Sequence, residues 1–495
     1  MRKYLLVVLA AAWLVSSISL INGSKPSASA AGRYKVRTNR VAPGLRLMRI
    51  LDSRGPNRIR VLKANPAADL TIDVALARNK IPGYETTSSM AARHGAIAAV
   101  NGDYTGATTT RTGRPVNIFA EDGDLKTSPL IWGRNFAISL DEKEVFIKHA
   151  SLSIWMTHVD SGRTWNIKSW NESDPPPGFA GYTPAGGYAY PPPKDACSAR
   201  LYPAGKRTWT SSANGVETDF VVDKVRCRSK RLGRQGGTVV SAPRRTRYAD
   251  KLSDKVVQGE TIRLGWSMGW AGALDTVGGN PNLVENGRIA VGECPTSIYF
   301  CRRHPRTGVG VTATGRLLLV TVDGRQRGRS VGMRPRQFAK LFQYLGAKWA
   351  LNLDGGGSTT MVVDNKVVNR PSGGYQRPIG TALLVLPGAD RREVEPRPFP
   401  TATSSPMPGG QGLAASSPPR GADGSERLNY PTPDPECLAL RDPASTGGLL
   451  DALARGSLAG PPTDVSPEFR RAVRVFRGDA SCGSHRVRPD SDRSD

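Results

Sequence analysis

Three short apolar runs, each leading into an acidic residue beside glycine, constrain the fold of this chain most strongly. The runs span 96–100, 317–322 and 349–353, and the acids that follow them are Asp103, Asp323 and Asp354. Apolar runs of this length bounded by glycine are typical of buried strands, and glycine lets the backbone turn sharply where a strand ends. We therefore expect three buried strands that deliver polar side chains to a common cleft.

Helical patterns precede two of these strands. Residues 86–88 can cap a helix that runs through Arg93, and a second helix is predicted from Pro335, with apolar residues at helical spacing before Gly346. After the third strand, 364–365 is an Asp-Asn pair between two apolar stretches, which predicts a hairpin. The mixture of hairpins and helix–strand units predicts an α+β fold with mixed sheets and helices.

Composition sets the organisation of the chain. The 495 residues include 54 Gly and 38 Pro, and 38% are hydrophobic. This composition provides for a large core, favours turn-rich β structure, and excludes wholesale disorder, a helical bundle and a bundle of transmembrane helices. We predict a main domain over 33–388 with an insertion at about 160–255, a Pro/Ser/Gly-rich linker over 391–436 and a small tail over 437–495.

The N-terminus and the cysteines both indicate export. Arg2 and Lys3 precede an uncharged apolar stretch and an Ala-x-Ala site, which predicts a secretory signal peptide over 1–30; an uncleaved membrane anchor is the alternative. The 6 cysteines favour disulfides in an exported chain, and sequential pairing (197–227, 294–301, 437–482) is the simplest of about 15 arrangements. We expect a secreted protein with no membrane attachment after cleavage.

The chain is strongly basic, with a net charge of +27. A run from Lys224 to Arg247 contains Lys and Arg but no acid. Such a run is either a solvated face or a surface that attracts a polyanion, such as a phosphate-bearing wall polymer. Cell-wall association is therefore an alternative to free secretion.

The strand ends carry residue types that suit phosphate and sugar chemistry. Carboxylates can act as base, nucleophile or metal ligand, and Arg306 can hold a phosphate by charged hydrogen bonds. The glycines of 355–357, followed by Ser358 and Thr359, offer consecutive backbone N–H groups to an oxyanion. The scattered histidines lack a zinc-binding spacing, so we predict no cofactor and no metal ligands, although a divalent metal is not excluded.

Several of these motifs together resemble the phosphodiester glycosidases, the family that includes N-acetylglucosamine-1-phosphodiester alpha-N-acetylglucosaminidase. Residues 352–361 (Asn-Leu-Asp-Gly-Gly-Gly-Ser-Thr-Thr-Met) are similar to the family's signature. The segments 101–104, 275–287 and 306–310, the Asp-Gly pair at 323–324 and the helix at 335–345 follow the family's order. The resemblance covers about 85–135 and 270–388, and the insertion and the tail have no counterpart in it.

The resemblance implies a hydrolase that cleaves a sugar-1-phosphodiester, possible examples being N-acetylglucosamine-1-phosphate diesters or a phosphate-bearing glycopolymer, to give a sugar and a phosphomonoester. A phosphate leaving group needs charge stabilisation more than protonation, which Arg306 and Arg325 would supply. The catalytic carboxylates would be Asp354 first and Asp323 second. Asp103 stands where relatives often have a small residue, so no role is assigned to it. The predicted substrate-binding residues are Asn101, Gly279, Arg325, Gly355, Gly356, Gly357, Ser358 and Thr359.

Two rival functions remain open from the sequence. One is a secreted metal-dependent phosphodiesterase or nuclease that uses the same acids, although no motif specific for nucleic acid supports it. The other is a non-catalytic protein that binds a wall polyanion through the basic insertion and the tail. Metal dependence and release of nucleotides would distinguish the first, and loss of wall binding without loss of activity after deletion of 391–495 would separate the second from catalysis.

Overall fold

A computed structural model describes residues 33–388, except 107–112, 131–132, 174, 190–194, 206, 211–213, 228–236 and 271. The predicted signal peptide, linker, tail and 437–482 disulfide lie outside the described residues, as does part of the basic run. The described residues form 26 strands in four sheets.

Sheet A has 8 strands in the order β1-β2-β3-β22-β21-β23-β19-β20. Its edge strand β1 is exposed along most of its length. The strands are β1 (Tyr34–Ala42), β2 (Leu45–Asp52), β3 (Asn57–Ala64), β19 (Asn282–Glu285), β20 (Arg288–Ile289), β21 (Arg306–Thr312), β22 (Leu317–Val322) and β23 (Ala347–Asn352).

Sheets B and C have 5 strands each, in the orders β25-β24-β5-β26-β4 and β7-β6-β18-β8-β9. Sheet B consists of β4 (Leu70–Leu76), β5 (Ala98–Asn101), β24 (Met361–Val363), β25 (Lys366–Val367) and β26 (Thr381–Pro387). Sheet C consists of β6 (Phe119–Glu121), β7 (Asp124–Thr127), β8 (Arg134–Ser139), β9 (Val145–His149) and β18 (Ala273–Gly279).

Sheet D also has 8 strands, in the order β13-β16-β12-β11-β10-β17-β15-β14, and contains the segment predicted as an insertion. Its strands β11 and β12 pair in parallel, whereas the other pairs of this sheet are antiparallel. The strands are β10 (Ser153–His158), β11 (Arg163–Trp170), β12 (Phe179–Tyr182), β13 (Ala196–Pro203), β14 (Thr208–Thr210), β15 (Gly215–Arg226), β16 (Thr238–Pro243) and β17 (Thr261–Ser267).

Three α-helices lie among these strands: α1 (Thr87–Arg93), α2 (Arg247–Lys255) and α3 (Pro335–Tyr344). The Thr86 side chain caps α1 by accepting a hydrogen bond from Ser89 N at 3.2 Å. Proline in the first turn starts α3, whose apolar face is buried. Short 3-10 helices span Ala77–Asn79, Pro184–Ala189, Tyr299–Cys301 and Gly356–Ser358.

The apolar runs are continuous because sheet A is covered on both faces. In β22, Leu317 and Leu319 join the core that sheets A, B and C share. The alternate residues Leu318 and Val320 belong instead to the core under α3. A strand buried on both faces has no polar alternation, so the run reads as uninterrupted apolar sequence.

Two glycines of β21 let α3 lie directly on the strand. A Cβ placed on Gly308 or Gly310 would lie 2.9 or 2.8 Å from ring atoms of Phe338 and Phe342. Those separations are below normal contact distance, so the Arg-Thr-Gly-Val-Gly pattern of 306–310 is required by packing of the helix against the strand.

The α+β prediction is wrong, because the structure is mostly β, with 49% of the described residues in strands and 12% in helices. The two predicted helices exist, but each is short. Each joins two strands that run in the same direction with one antiparallel strand between them: α1 joins β4 to β5 across β26, and α3 joins β22 to β23 across β21. The three apolar runs lie in antiparallel ladders, and the Pro-rich middle of the chain forms sheet D instead of helix–strand units.

Two of the three predicted disulfides are present among the described residues, Cys197–Cys227 and Cys294–Cys301. Such bonds are typical of proteins in oxidising compartments. No helix within 33–388, in the part that the structure describes, is long and apolar enough to cross a membrane.

Candidate active site

Three strand ends of sheet A meet at one edge. Register places Arg306, at the start of β21, opposite Val322, after which β22 delivers Asp323. On the other side of β21, β23 ends at Asn352, so the chain reaches Asp354 two residues later. The Gly356 N–H donates to Pro305 O at 2.9 Å, which brings the glycine turn against the start of β21. The structure therefore brings Asp323, Arg306 and Asp354 to the same edge.

Asn101 ties this edge to sheet B. Its Nδ2 donates to Asp354 O at 2.6 Å, and its Oδ1 accepts from Thr307 Oγ1 at 2.7 Å and from Thr360 N at 3.1 Å. The side chain is fully buried. The Asn101 amide thus contacts three segments of the protein and holds the backbone at Asp354 and Thr360 in place.

The Asp354 carboxylate is half-buried and follows directly after buried backbone. Its Oδ1 accepts a hydrogen bond from Gly355 N at 2.8 Å. Burial raises the pKa of this carboxyl group, and the Ser358 side chain, the Gly355 N–H and the Arg377 guanidinium oppose that rise. The surroundings of Asp354 therefore raise its pKa above the ordinary value of a carboxyl group, and shifted pKa values of this kind are common among acids and bases in active sites.

Residues Gly356–Ser358 form a tight 3-10 turn after Asp354. Gly356 has a φ of 61°, in the left-handed region that favours glycine. Most N–H groups of the turn donate within the protein: Ser358 N to Gly355 O at 3.1 Å and Thr359 N to Gly356 O at 3.4 Å. In the described part of the chain, Gly357 N donates no hydrogen bond.

Two guanidinium groups lie against this turn. A Cβ on Gly356 would lie 2.9 Å from Arg325 Nη2, and a Cβ on Gly357 would lie 2.2 Å from Arg377 Nη2. Both arginines are exposed. The glycines thus leave room for two guanidinium groups beside the turn that follows Asp354, and we call Arg325 and Arg377 the arginine pair.

A neutral histidine orients Arg325. Arg325 Nε donates to His304 Nδ1 at 3.2 Å, and its Nη2 donates to Tyr299 Oη at 2.9 Å. His304 Nε2 lies 2.7 Å from Tyr299 O, to which it donates. Burial lowers the pKa of His304, and the cations of Arg325 and Arg306 lower it further. The imidazole is therefore uncharged at neutral pH, with Nδ1 free to accept from Arg325.

Arg306 makes its hydrogen bonds to backbone carbonyls. Its Nε donates to Met333 O at 3.0 Å, and its Nη2 donates to Phe300 O at 2.6 Å and Arg302 O at 3.1 Å. Burial lowers the pKa of Arg306 to about 10, so the group stays charged at neutral pH. Phe300 and Arg302 belong to the loop that the Cys294–Cys301 disulfide closes, here called the disulfide loop (294–304). Arg306 fixes this loop beside the arginine pair.

Asp323 faces a different segment. Its Oδ1 accepts from Arg370 N at 2.9 Å and from Asn369 Nδ2 at 3.3 Å, and Asn369 Nδ2 also donates to Thr359 O at 3.0 Å. Burial raises the pKa of Asp323, opposed first by the Arg370 N–H and by Asn369. Asn369 therefore links Asp323 to the backbone that follows the glycine turn.

Several buried oxygen atoms at this edge lack a hydrogen-bond partner within the described chain. They are Asp323 Oδ2, Asn352 Oδ1, Thr359 Oγ1 and Thr360 Oγ1. A buried polar atom without a partner is costly, and native structures keep such atoms mostly at functional sites. Their concentration between Asp323 and Asp354 supports a site that binds a polar ligand.

Gly279 lies at the rear of the site. A Cβ on it would lie 2.3 Å from Asn352 O, so glycine is needed where sheet C approaches sheet A. Asn352 Nδ2 donates to Asn280 O at 2.8 Å and also to Tyr104 Oη. Tyr104 Oη in turn donates to Asn280 O at 2.8 Å. Gly279 thus contributes shape, and the half-buried Tyr104 lines the site next to it.

Asp103 is held inside the protein. Its carboxylate accepts hydrogen bonds from Asn117 N, Asn117 Nδ2 and Tyr104 N, each at 2.7 Å. Burial raises its pKa to about 7. These contacts shape the 101–104 turn, which positions Tyr104.

Four residues of the candidate site were not predicted as site residues from the sequence: Arg377, His304, Tyr299 and Asn352. Tyr299 and His304 lie beside a predicted disulfide, which is a usable signal for an ordered loop. Arg377 follows an exposed Gly-Gly-Tyr segment and carries no local signal, because its contact with Gly357 depends on how sheet B folds. Among the described residues, no group of three His, Cys, Asp or Glu side chains could hold a metal ion.

Comparison with known proteins bears on this site directly. Residues 214–386 match the family model described as phosphodiester glycosidase. The resemblance carried by the motifs is confirmed. The match includes the arginine pair, Asp323 and Asp354, whereas the 101–104 turn precedes it. It begins at β15, so this phosphodiester glycosidase match also takes in part of sheet D.

The individual proteins that resemble this chain are distant from it in sequence. An uncharacterised SPbeta prophage-derived protein of Bacillus subtilis is 33% identical over 103 residues, which are 21% of this chain and 16% of that protein. The chain thus spans less than a fifth of that relative's length. A crystal structure of a hypothetical protein from Synechocystis has a TM-score of 0.54 at 20% identity, covering 71% of this chain and 68% of that one, and shows a shared fold.

The structure of the catalytic domain of zebrafish N-acetylglucosamine-1-phosphodiester alpha-N-acetylglucosaminidase, auto-inhibited by its pro-peptide, was also found. It aligns with a TM-score of 0.36 at 16% identity, covering 72% of this chain and 88% of that one.

Proposed function

We propose that the protein is a secreted hydrolase that cleaves a sugar-1-phosphodiester and releases a sugar and a phosphomonoester. The observation that carries the proposal is the glycine turn that follows Asp354: the arginine pair lies against Gly356 and Gly357, and the charge of Arg377 acts on the Asp354 carboxyl group. A carboxylate and two cations held together suit a substrate in which a sugar carbon and a phosphate are adjacent. The family match over 214–386 supports the same reaction class.

The arginine pair would bind the phosphodiester oxygens, helped by the Gly357 N–H, which donates no hydrogen bond within the described chain. Water attacks the anomeric carbon, the bond from that carbon to the phosphate oxygen breaks, and the electron pair leaves with the phosphate as a monoester. A well-placed donor to the developing charge is worth roughly 3–4 kcal/mol. The arginine pair would therefore supply most of the leaving-group stabilisation.

Asp354 would stabilise the positive charge that develops at the anomeric carbon, or take the proton of the attacking water, as carboxylates do in glycosidases. Asp323 is the second proposed carboxylate, since its Oδ2 is buried without a partner in the described chain. Arg306 would act by fixing the disulfide loop and through its charge. Asn101 and Gly279 would hold the frame, and Ser358 and Thr359 would offer hydroxyls near the substrate.

The natural substrate we propose is a phosphate-bearing glycopolymer or another glycosyl phosphate, N-acetylglucosamine-1-phosphate diesters being the first candidates. The net charge of +27 favours attraction of a polyanion. The two disulfides support an extracellular location.

The test is sugar release by the full chain from methyl N-acetylglucosamine-1-phosphate, beside an Asp354→Asn variant. We expect free N-acetylglucosamine and methyl phosphate, with kcat/KM reduced at least about 10³-fold in the variant. Asp364→Asn, an exposed acid in the hairpin after β24, is the matched control and should keep full activity. Equal activity of Asp354→Asn and Asp364→Asn would contradict the proposed role of Asp354.

The same assay separates the rival functions. Cleavage of bis-4-nitrophenyl phosphate but not of the sugar diester, abolished by EDTA, would favour a metal-dependent phosphodiesterase. Inactivity on a panel of glycosyl phosphates, together with binding to a wall polyanion, would favour the non-catalytic protein.

A further inference from the structure

A cavity lies away from the candidate active site, where sheet C meets sheet D. Its volume is about 630 Å³. It is lined by the β8–β9 hairpin of sheet C, by Trp209 of β14 and by Gly272 before β18. Volumes of roughly 300–1,000 Å³ are typical of sites for small ligands, so this cavity has room for one or two sugar rings.

The cavity and the active site lie at opposite ends of sheet C. Gly279 pairs with Arg134 at the active-site end of β18, whereas Ala273 pairs with Ser139 at the cavity end. The seven residues from Ala273 to Gly279 span six steps, or about 20 Å at the rise of an extended strand. The cavity is therefore separate from the arginine pair and from Asp354.

The walls of the cavity include two aromatic side chains. Trp209 and Phe146 both line it, and both are half-buried. Phe146 is fixed by an edge-on contact with Trp270, with ring centroids 5.7 Å apart, and Lys148 Nζ lies 4.8 Å from the Phe146 ring centroid. Rigid aromatic surface that keeps partial contact with water suits a ligand with an apolar face.

The rim of the cavity carries hydrogen-bond acceptors. Asp141 Oδ1 accepts from Ser139 Oγ at 2.6 Å and from Lys143 N at 3.2 Å. Asp141 Oδ2 and the Glu144 carboxylate make no hydrogen bond within the described chain, and both residues are exposed. Lys148 lines the cavity with these carboxylates and Lys143 acts on Asp141 through its charge, so the rim carries charges of both signs.

This combination selects one ligand class. The described residues that line the cavity include two carboxylates, one lysine and no arginine, so they do not form a phosphate-binding cluster. A pyranose ring has an apolar C–H face for aromatic surface and a rim of hydroxyls for carboxylate acceptors. We propose that the cavity lined by Trp209, Phe146, Asp141 and Glu144 is an accessory site that binds an uncharged sugar unit. It goes beyond the proposed hydrolysis and does not depend on it.

The test is calorimetric titration of the full chain with three uncharged disaccharides: N,N′-diacetylchitobiose, cellobiose and maltose. We expect at least one to bind with a stoichiometry of one. Trp209→Ala should weaken that binding at least about tenfold, and Glu144→Ala should weaken it several-fold without a change in folding, since Glu144 is exposed. Inorganic phosphate should not compete.

Two controls keep the result interpretable. Trp165→Ala removes a half-buried tryptophan that packs on the same core of sheet D but does not line the cavity, so it should leave binding unchanged. Arg377→Gln changes the active site and should also leave binding unchanged. The proposal is overturned if no disaccharide binds, if Trp165→Ala and the cavity variants weaken binding equally, or if Arg377→Gln abolishes it.

Discussion

Arg325 and Arg377 reach one glycine turn from loops about 50 residues apart in sequence. Arg325 is oriented by His304 and Tyr299, whereas Arg377 acts on Asp354 through its charge. The two arginines therefore have separable roles. One is held in place by a neutral imidazole, and the other helps to set the protonation of the carboxyl group.

The role of Arg377 can be tested by Arg377→Gln. Its cation favours the ionised form of Asp354, so its removal raises the pKa of that carboxyl group. If hydrolysis needs ionised Asp354, the acid limb of the profile of kcat/KM against pH moves to higher pH. Loss of a phosphate contact lowers kcat/KM by about 10²-fold at the optimum.

Arg327→Gln is the matched control, because Arg327 is an exposed arginine of the loop after β22 and the variant loses the same charge. It should leave the pH profile unchanged. An equal shift of the acid limb in both variants would mean that overall charge, and not the position of Arg377, sets the pKa of Asp354.

At the level of elements, the disulfide loop supports the site by its backbone. Its carbonyls receive the Arg306 guanidinium, and its Tyr299 hydroxyl accepts from Arg325. The orientation of Arg325 therefore depends on the disulfide loop.

We expect the double variant Cys294→Ser/Cys301→Ser to lose both stability and activity. Closing a short loop is worth about 2–3 kcal/mol. Freed Tyr299 would no longer orient Arg325, so KM for the phosphodiester should rise about tenfold. Thermal denaturation and steady-state kinetics on the folded fraction check the two effects.

Cys197→Ser/Cys227→Ser is the control for this variant. That disulfide lies in sheet D, away from the glycine turn. Its removal should lower the melting temperature while kcat and KM per folded molecule stay unchanged. If both double variants raised KM alike, the disulfide loop would have no special link to the site.

The sequence predicted local features better than the arrangement of sheets. The apolar runs gave the buried strands, and proline and glycine marked the ends of α3, because these signals act within a few residues. The α+β prediction failed because it gave two short helix–strand units the same weight as the strands, which dominate the described residues. Strand pairing depends on contacts between distant residues, such as Met361 with Val100, which no local pattern records.

The same limit applies to the candidate site. Asp323, Arg306 and Asp354 are predicted from strand ends near glycine, and the register of sheet A brings those strand ends together. The contact of Arg377 with Gly357 and the link of Asn101 to Asp354 O join residues 20 and 253 positions apart in the chain, and the fold decides which atoms they meet.

At the scale of the whole molecule, buried carboxyl groups couple stability to pH. Burial raises the pKa of Glu121 to about 7, with Lys126 opposing and Asp122 and Asp73 reinforcing the rise. Asp275, close to the same group, also has its pKa raised, mainly by burial. Protonation of these buried acids therefore favours the folded state of the protein.

We expect the free energy of unfolding to be highest below about pH 5 with respect to these groups and to fall as pH rises to about 7. A carboxyl group whose folded pKa is raised takes up a proton on folding, and that advantage is lost once pH passes the folded pKa. For Glu121 the loss is about 3 kcal/mol, at about 1.4 kcal/mol per unit of pKa.

Urea denaturation between pH 5 and 8 checks this, with Glu121→Gln as the test variant. The variant cannot ionise, so its stability should depend less on pH. Glu144→Gln, an exposed acid of the β8–β9 hairpin, should keep the wild-type slope. Identical slopes for wild type and Glu121→Gln would exclude Glu121 as a source of the pH dependence.

The exposed edge strand of sheet A also affects self-association of the protein. β1 is an edge strand, exposed along most of its length, and it carries Lys35, Arg37 and Arg40. A second copy approaching edge to edge would bring these cations against one another. Charged edge strands resist the strand addition that starts aggregation. The basic excess of the chain thus has a further consequence: it keeps an open sheet soluble when the protein is concentrated.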